Sequence, residues 1–266
     1  MNKGHISNFL RHLRLIYLSD RLRYYIERFK NRRINKDFRK KNPEVKLPPD
    51  YLIYESFQIN YPKYYTESIE TARWLANHFK KHIDLKNKRI LDWGCGPGRL
   101  IRHLPLIIGN VCEYWGTDYS KRSIDWCAHN LSGIKFNNNS LEARLPYNNN
   151  FFDIIYGISV FTHLSEKLHF DWYSELFRIL KPGGIMFFTT SGNNFKAKLT
   201  NSELRRYNNN ELIVRGKVKE GHRTFSAFHP KGFMMQLFEN TEVLEHIETR
   251  PEKWKALPQD IWIIRK

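Results

Sequence analysis

Two periods of apolar residues alternate along the chain. Runs rich in Ile, Leu, Phe, Tyr and Trp at 89–93, 112–118, 133–137, 152–158 and 184–190 predict strands. The stretches 99–106, 120–130 and 165–180 instead space their apolar residues by three and four, which predicts helices packed on one face. Lys181-Pro182-Gly183-Gly184 closes the last of these and returns the chain to a strand. Glu242 to Ile247 and Ile261 to Ile264 read as two more strands around a Pro251 to Pro258 connection. Such alternation implies an α/β fold, a doubly wound and mainly parallel sheet with helices on both faces. Ligands of open α/β sheets sit at the carboxyl ends of the strands.

Ahead of this body, Phe9, Leu13, Ile16, Tyr17, Leu22, Tyr25, Ile26 and Phe29 recur at helical spacing, with a break expected around Ser19-Asp20. Charge singles out the same segment. The chain carries +17 overall, and residues 1–42 hold 13 Lys/Arg against Asp20, Glu27 and Asp37, a net of 13 − 3 = +10. Two readings stand: a basic face that meets anionic lipid or nucleic-acid phosphate, and a helix docked on its own domain with a solvated basic side. Prolines in Asn42 to Asp50 mark the end of the appendage. The domain reading is therefore a basic helical arm and linker over 1–50 and a catalytic-type domain over 51–266, with 191–232 as a substrate-side insertion.

At 266 residues, 41% hydrophobic and 15% aromatic, the chain has ample material for a core. No apolar run approaches the roughly 18 residues a membrane span needs. Arg11, His12 and Arg14 stand where a signal peptide would place its apolar block, so a cytoplasmic protein is expected, with peripheral contact at the inner membrane face as an option. Three cysteines without a CxxC pair argue against a disulfide framework or a cysteine metal site, and no metal is expected.

The chemistry begins at Asp92-Trp93-Gly94-Cys95-Gly96-Pro97-Gly98, directly after the strand-like Ile90-Leu91. Glycines at 94, 96 and 98 allow a tight turn and close approach of backbone to ligand. A helix opening at Arg99 would favour negative charge in front of it. Asp118 follows twenty residues after Gly98, the distance at which a second strand places a carboxylate on ribose hydroxyls. Loop and acid together point to an adenosine-containing ligand. The third glycine of the dinucleotide pattern is replaced by Arg99, and no GxxxxGK[ST] occurs.

The series Asp92–Gly98, Asp118, Leu145-Pro146-Tyr147, Phe152-Asp153-Ile154-Ile155-Tyr156, Ser159–Leu164 and Leu180–Gly184 resembles the class I S-adenosylmethionine-dependent methyltransferases over about residues 65–190. The resemblance implies a Rossmann-like, seven-stranded sheet ending in an antiparallel pair, with S-adenosyl-L-methionine as cofactor. It implies that Gly94, Gly96 and Gly98 line the cofactor, that Asp92 orders the loop and that Asp118 accepts the ribose hydroxyls. It further places Tyr119, Asn139, Ser140 and Leu141 around the adenosine and Ser159 near the reactive methyl. Leu141 stands where many members carry an acid, so Asn139, Ser140 or backbone groups must serve there.

Methyl transfer asks the protein to align a nucleophile and exclude water, and a hydroxyl acceptor benefits from a nearby base. His163 is the candidate after the fourth strand and His229 the candidate in the insertion; a loop-ordering role for His163 is the competing reading. Gly157-Ile158-Ser159-Val160 stands where nucleic-acid amino methyltransferases often show [DN]PP[YF]. A sugar or other small glycan acceptor is the expected substrate, again by resemblance, to methyltransferases found with polysaccharide glycosyltransferases. An RNA substrate reached through the basic arm and a non-catalytic binding module are the alternatives.

Overall fold

A computed structural model describes residue 8 and residues 11–13, 15–251 and 256–266. Phe9 of the arm's apolar series lies outside the described residues. The strands are β1 (Arg89–Trp93), β2 (Glu113–Asp118), β3 (Ile134–Asn138), β4 (Phe152–Gly157), β5 (Leu180–Thr190), β6 (Ile213–Arg215), β7 (Ser226–Phe228), β8 (Glu242–Ile247) and β9 (Asp260–Arg265). The main sheet has the order β3-β2-β1-β4-β5-β9-β8, and β6 pairs with β7 apart from it. β1 with β2, β2 with β3 and β4 with β5 pair in parallel, whereas β9 runs antiparallel to both β5 and β8. This is the mostly parallel, doubly wound sheet the strand pattern predicts, closed by the expected antiparallel pair.

Burial explains the pattern. β4 is buried at all six positions, so it reads as a continuous apolar run instead of an alternating one. The helices are α1 (Ile16–Lys30), α2 (Arg32–Lys41), α3 (Asp50–Ser56), α4 (Glu67–His82), α5 (Leu104–Ile108), α6 (Lys121–Asn130), α7 (Glu166–Ile179), α8 (Asn201–Asn208) and α9 (Lys231–Leu237). Ser120 and Ser165 cap α6 and α7 by accepting from Ser123 N and Leu168 N. The helix expected directly behind the glycine loop is much shorter. Turns and a 3-10 segment (Ile101–His103) intervene, and α5 starts at Leu104 with Pro105 in its first turn, where the missing N–H costs nothing. No extended helix dipole therefore faces the loop. β5 also begins earlier than expected. Leu180 pairs with Phe152, the Lys181–Gly184 turn bulges out, and pairing resumes between Ile154 and Ile185.

By contact the described chain forms two compact units: residues 18–140, and the described residues up to 17 together with 141–266. The division does not fall at residue 50. In the first unit, α1 is unbroken at Ser19-Asp20, because the Tyr54 hydroxyl donates to Asp20 at 2.9 Å and keeps that residue in the helix. The break lies at Asn31, whose side chain donates back to Glu27 O at 2.9 Å. Phe38 of α2 packs with Ile53, Tyr61 and Tyr64, and Asn35 is buried, accepting from Tyr61 N at 2.9 Å. The arm from residue 32 onward is thus part of a packed layer.

In the second unit, Arg11 is buried, donating to the carbonyls of Arg215 at 2.9 Å, Gly216 at 3.1 Å and Thr224. Thr200 and Glu203 form a reciprocal capping box at the start of α8, and Glu203 also pairs with Arg215 at 2.6 Å. Burial pushes the Glu203 carboxyl up, but the Arg215 guanidinium, the Thr200 N–H and the Asn8 side-chain amide hold it down at about 2. Among the described residues no helix is long and apolar enough to cross a membrane.

Candidate functional site

In the 18–140 unit the sequence-predicted cofactor residues stand at the carboxyl ends of β1, β2 and β3. Gly94 N and Cys95 N both donate to Thr117 O, at 2.8 and 3.0 Å, tying the loop to β2. Gly96 has φ +52, and its N–H donates to Asp118 Oδ2 at 2.9 Å. A Cβ on Gly96 would lie 3.1 Å from Ser56 Cβ. A side chain there would press first on the end of α3, a contact the sequence did not reveal. Gly98 has a different reason for being glycine. At φ +74 its missing Cβ points 2.6 Å from Leu131 Cδ1 and 3.2 Å from Cys127 Sγ, so its small size serves packing rather than ligand access. Gly98→Ala is expected to cost about 2–4 kcal/mol of stability, from the left-handed backbone plus overpacking. Thermal unfolding checks this, and a melting temperature unchanged from the parent would refute it.

Asp118, at the end of β2, is buried, and Oδ1 accepts from Ser120 N at 2.7 Å. Burial raises its pKa to about 6; the two backbone donors oppose the rise, and Glu55 of α3 adds to it. Each carboxylate oxygen has one of these backbone partners and a lone pair beyond it. That donor-poor carboxylate fits a ligand presenting two hydroxyls, as a ribose does. Glu55 was not legible in the sequence as part of the site, yet it adds a second negative charge beside Asp118, suited to a cationic ligand. Tyr119 is half-buried after Asp118. Asn139 donates its backbone N–H to Asp118 O at 3.1 Å, its Oδ1 accepts from Thr117 Oγ1 at 2.7 Å, and its Nδ2 donates to Ser140 O at 2.6 Å. Ser140 is exposed, and Asp92 is buried at the end of β1 opposite Gly116.

In the other unit, Ser159 stands two residues past β4 with φ +65, a left-handed conformation uncommon for a non-glycine residue. Three contacts hold it. Its N–H donates to Thr189 Oγ1 at 2.8 Å, Gln259 Nε2 donates to its Oγ at 2.8 Å, and that Oγ lies 2.9 Å from Thr162 Oγ1. Thr189 Oγ1 in turn donates to Gln259 Oε1 at 2.7 Å. The sequence does not show Thr189 and Gln259 as holders of Ser159, because these contacts join segments far apart in the chain. Leu141 offers its carbonyl to Trp172 Nε1 at 3.2 Å, so that oxygen already has a partner.

His163 Nδ1 lies 2.9 Å from Phe225 O. A carbonyl can only accept, so Nδ1 carries the proton and Nε2 the lone pair. Burial, with Arg223 and His222 adding, lowers its pKa and keeps it neutral near pH 7. His229 does not meet the expectation of a base open to an acceptor. It is 1% exposed, and its Nε2 lies 2.9 Å from His169 Nε2. His169 Nδ1 donates to Ser165 O at 2.7 Å, so the pair is a neutral core contact in which His229 is the donor.

Burial lowers His169 to about 4 and His229 well below its ordinary value. Unfolded histidines protonate near 6.5. Their stabilisation is thus fully present above pH 6.5 and is lost as the pH falls toward 4. Asp118 opposes this, since its raised pKa weakens the fold as pH rises from 3.8 to about 6. His103, which burial lowers to about 4, and His163 act in the same sense as this pair, so the melting temperature is expected to fall between pH 6.5 and 4.5. Graded-pH melts that stay level would show the imidazoles to be solvated.

His246, Glu248 and Asp260 bring one ligand-type atom each within 4.8 Å of one another. Protein partners already engage them, with His246 Nε2 3.3 Å from Asp260 Oδ2 and Glu248 Oε2 accepting from Asn193 at 3.0 Å.

Residues 90–184 match the family described as "Methyltransferase domain". The chain is 29% identical over 154 residues to a phthiotriol/phenolphthiotriol dimycocerosates methyltransferase of Mycobacterium ulcerans, covering 53% of this chain and 54% of that protein. It is also 29% identical over 130 residues to a fatty-acid O-methyltransferase of Mycolicibacterium smegmatis, covering 47% and 46%. The chain thus spans about half the length of the curated relatives it matches. In fold it is similar to a SAM-dependent methyltransferase from Methanosarcina mazei, with TM-score 0.54, 17% identity, and 71% of this chain and 96% of that chain covered.

Proposed function

The chain carries a class I S-adenosylmethionine-dependent methyltransferase domain, and on that premise we propose that the protein O-methylates a hydroxyl of a glycan or similar amphiphilic, lipid-borne acceptor. The cofactor of such a domain is S-adenosyl-L-methionine, which supplies a methyl group already activated on a sulfonium. The chain's own residues then have three tasks. Asp118, Gly96 and Asn139 hold the adenosine end. Ser159, fixed by Thr189 and Gln259, shapes the end of β4. His163 receives the acceptor's hydroxyl proton on Nε2, while Nδ1–H stays bonded to Phe225 O.

The neutral, tautomer-fixed His163 is the observation that carries this reading. A hydroxyl loses its proton as its oxygen becomes the nucleophile, and a neutral imidazole held in one orientation suits that task. The acceptor class draws support from the relatives whose names describe lipid and fatty-acid substrates. The test is transfer of a labelled methyl group from S-adenosylmethionine to pools of lipid-linked glycan, free sugar, fatty acid and RNA. Label in the lipid-linked glycan pool, released as a methyl ether, is the expected result. Label confined to RNA, or binding of S-adenosylmethionine with no transfer to any pool, would overturn the proposal.

A further inference from the structure

α1 turns its two sides to different surroundings. Ile16, Asp20, Tyr24 and Glu27 are the partly buried positions of this helix. Tyr24 packs edge-on against Tyr51 and Tyr54 of α3 at 5.5 and 5.3 Å, and Arg28 pairs with Asp50 at 3.0 Å. At 100° per residue, Leu18, Leu22, Tyr25, Ile26 and Phe29 fall together on the opposite side. They are 67%, 61%, 50%, 43% and 64% exposed. A soluble helix ordinarily buries its apolar stripe and leaves its polar side in water. Here the stripe faces out.

Charge borders that stripe on both edges. At 100° per residue Arg21 and Arg28 of α1 fall on one flank and Arg23 and Lys30 on the other. Arg32 lies over the Phe29 ring at 4.2 Å, its charged head beside the apolar strip. Across residues 16–41 ten Lys/Arg stand against three acids, 10 − 3 = +7. An apolar strip with cations on both margins is the pattern of a helix lying in the plane of an interface, its apolar side in the acyl boundary and its cations at phosphate level. A second copy of this chain would set the same cations against one another. Nucleic acid would use the cations and leave the apolar strip in water.

We infer that α1 docks on an anionic lipid surface through Leu18, Leu22, Tyr25, Ile26 and Phe29, flanked by its arginines. The inference does not depend on the identity of the methyl acceptor. It does set a distance. α3, which holds Tyr24 on one side, carries Glu55 beside Asp118 and Ser56 against Gly96. Docking therefore leaves α1 and α3 as the layers between the lipid and the cofactor loop.

The test is co-sedimentation of the full chain with vesicles of phosphatidylcholine alone and of phosphatidylcholine mixed equally with phosphatidylglycerol. Binding to the mixed vesicles at least tenfold tighter than to phosphatidylcholine, weakened by added salt, is expected. Leu22→Asp/Phe29→Asp should reduce binding to the mixed vesicles at least tenfold, with thermal stability and S-adenosylhomocysteine affinity unchanged. Arg21→Gln/Arg23→Gln should weaken it while keeping the residual apolar binding. Failure of the full chain to sediment with mixed vesicles would overturn the inference, as would equal binding by the Leu22/Phe29 variant. A dimer in solution that the same variant dissolves would assign the stripe to a second copy instead.

Discussion

Replacing His163 by asparagine is expected to lower kcat by about 10²–10⁴ with little change in S-adenosylhomocysteine affinity. The asparagine amide can still donate to Phe225 O, so the loop contact is kept while the basic nitrogen is removed. This separates base from loop-orderer, the two roles the sequence leaves open for His163. The pH profile gives a second reading. Burial lowers the His163 pKa, so a working base stays neutral, and kcat stays level, to a lower pH than an ordinary imidazole would allow. Loss of that acidic limb in the variant, together with the drop in kcat, would identify the proton acceptor. A loss of less than tenfold would place the base elsewhere.

Asp118→Ala is expected to weaken S-adenosylhomocysteine binding by about 10–150-fold, equivalent to about 1.5–3 kcal/mol of charge-assisted hydrogen bonds. Calorimetry measures it, and unchanged affinity would remove Asp118 from the ribose. The substitution also strips the acceptor from Gly96 N and Ser120 N, so a parallel melt must show the variant folded at the titration temperature. In the parent protein the carboxyl titrates near 6, and the ionised form is the one that accepts two hydroxyl donors. Affinity is therefore full above that pH and declines below it, by at most about tenfold per unit. Glu55→Gln removes a charge that pushes the carboxyl up, so it should move the decline to lower pH. A decline that stays in place would mean that Glu55 does not act on Asp118.

Much of this was legible beforehand, for physical reasons. β1, β2, β4 and β9 announce themselves because buried strands need apolar side chains at fixed spacing, and their predicted ends lie within a residue of those observed. Asp118 is legible because the loop and the second strand fix its separation from the glycines. Other features arise from contacts made across the chain. Ser159 looks ordinary until its φ of +65 and its bonds to Thr189 and Gln259 are seen. His229 reads as an open histidine in a loop-rich insertion, and only the fold shows His169 beside it. The arm's apolar residues show helical period without saying which side is covered. Packing chose Tyr24 and Asp20 for the inside.

The Arg11 guanidinium has a consequence for the order in which this protein comes to exist. Its carbonyl partner at Arg215 is 204 residues away along the chain. At about 5–20 residues per second, some tens of seconds of synthesis separate the two. For most of that interval the strip from Leu18 to Phe29 has been synthesised while the carbonyls of Arg215, Gly216 and Thr224 have not. The nascent chain thus presents its lipid-seeking segment long before the β6–β7 hairpin can capture Arg11. Contacts of such long range form late, because their loop-closure entropy must be met first. Targeting of the nascent chain would precede completion of its β6–β7 pair.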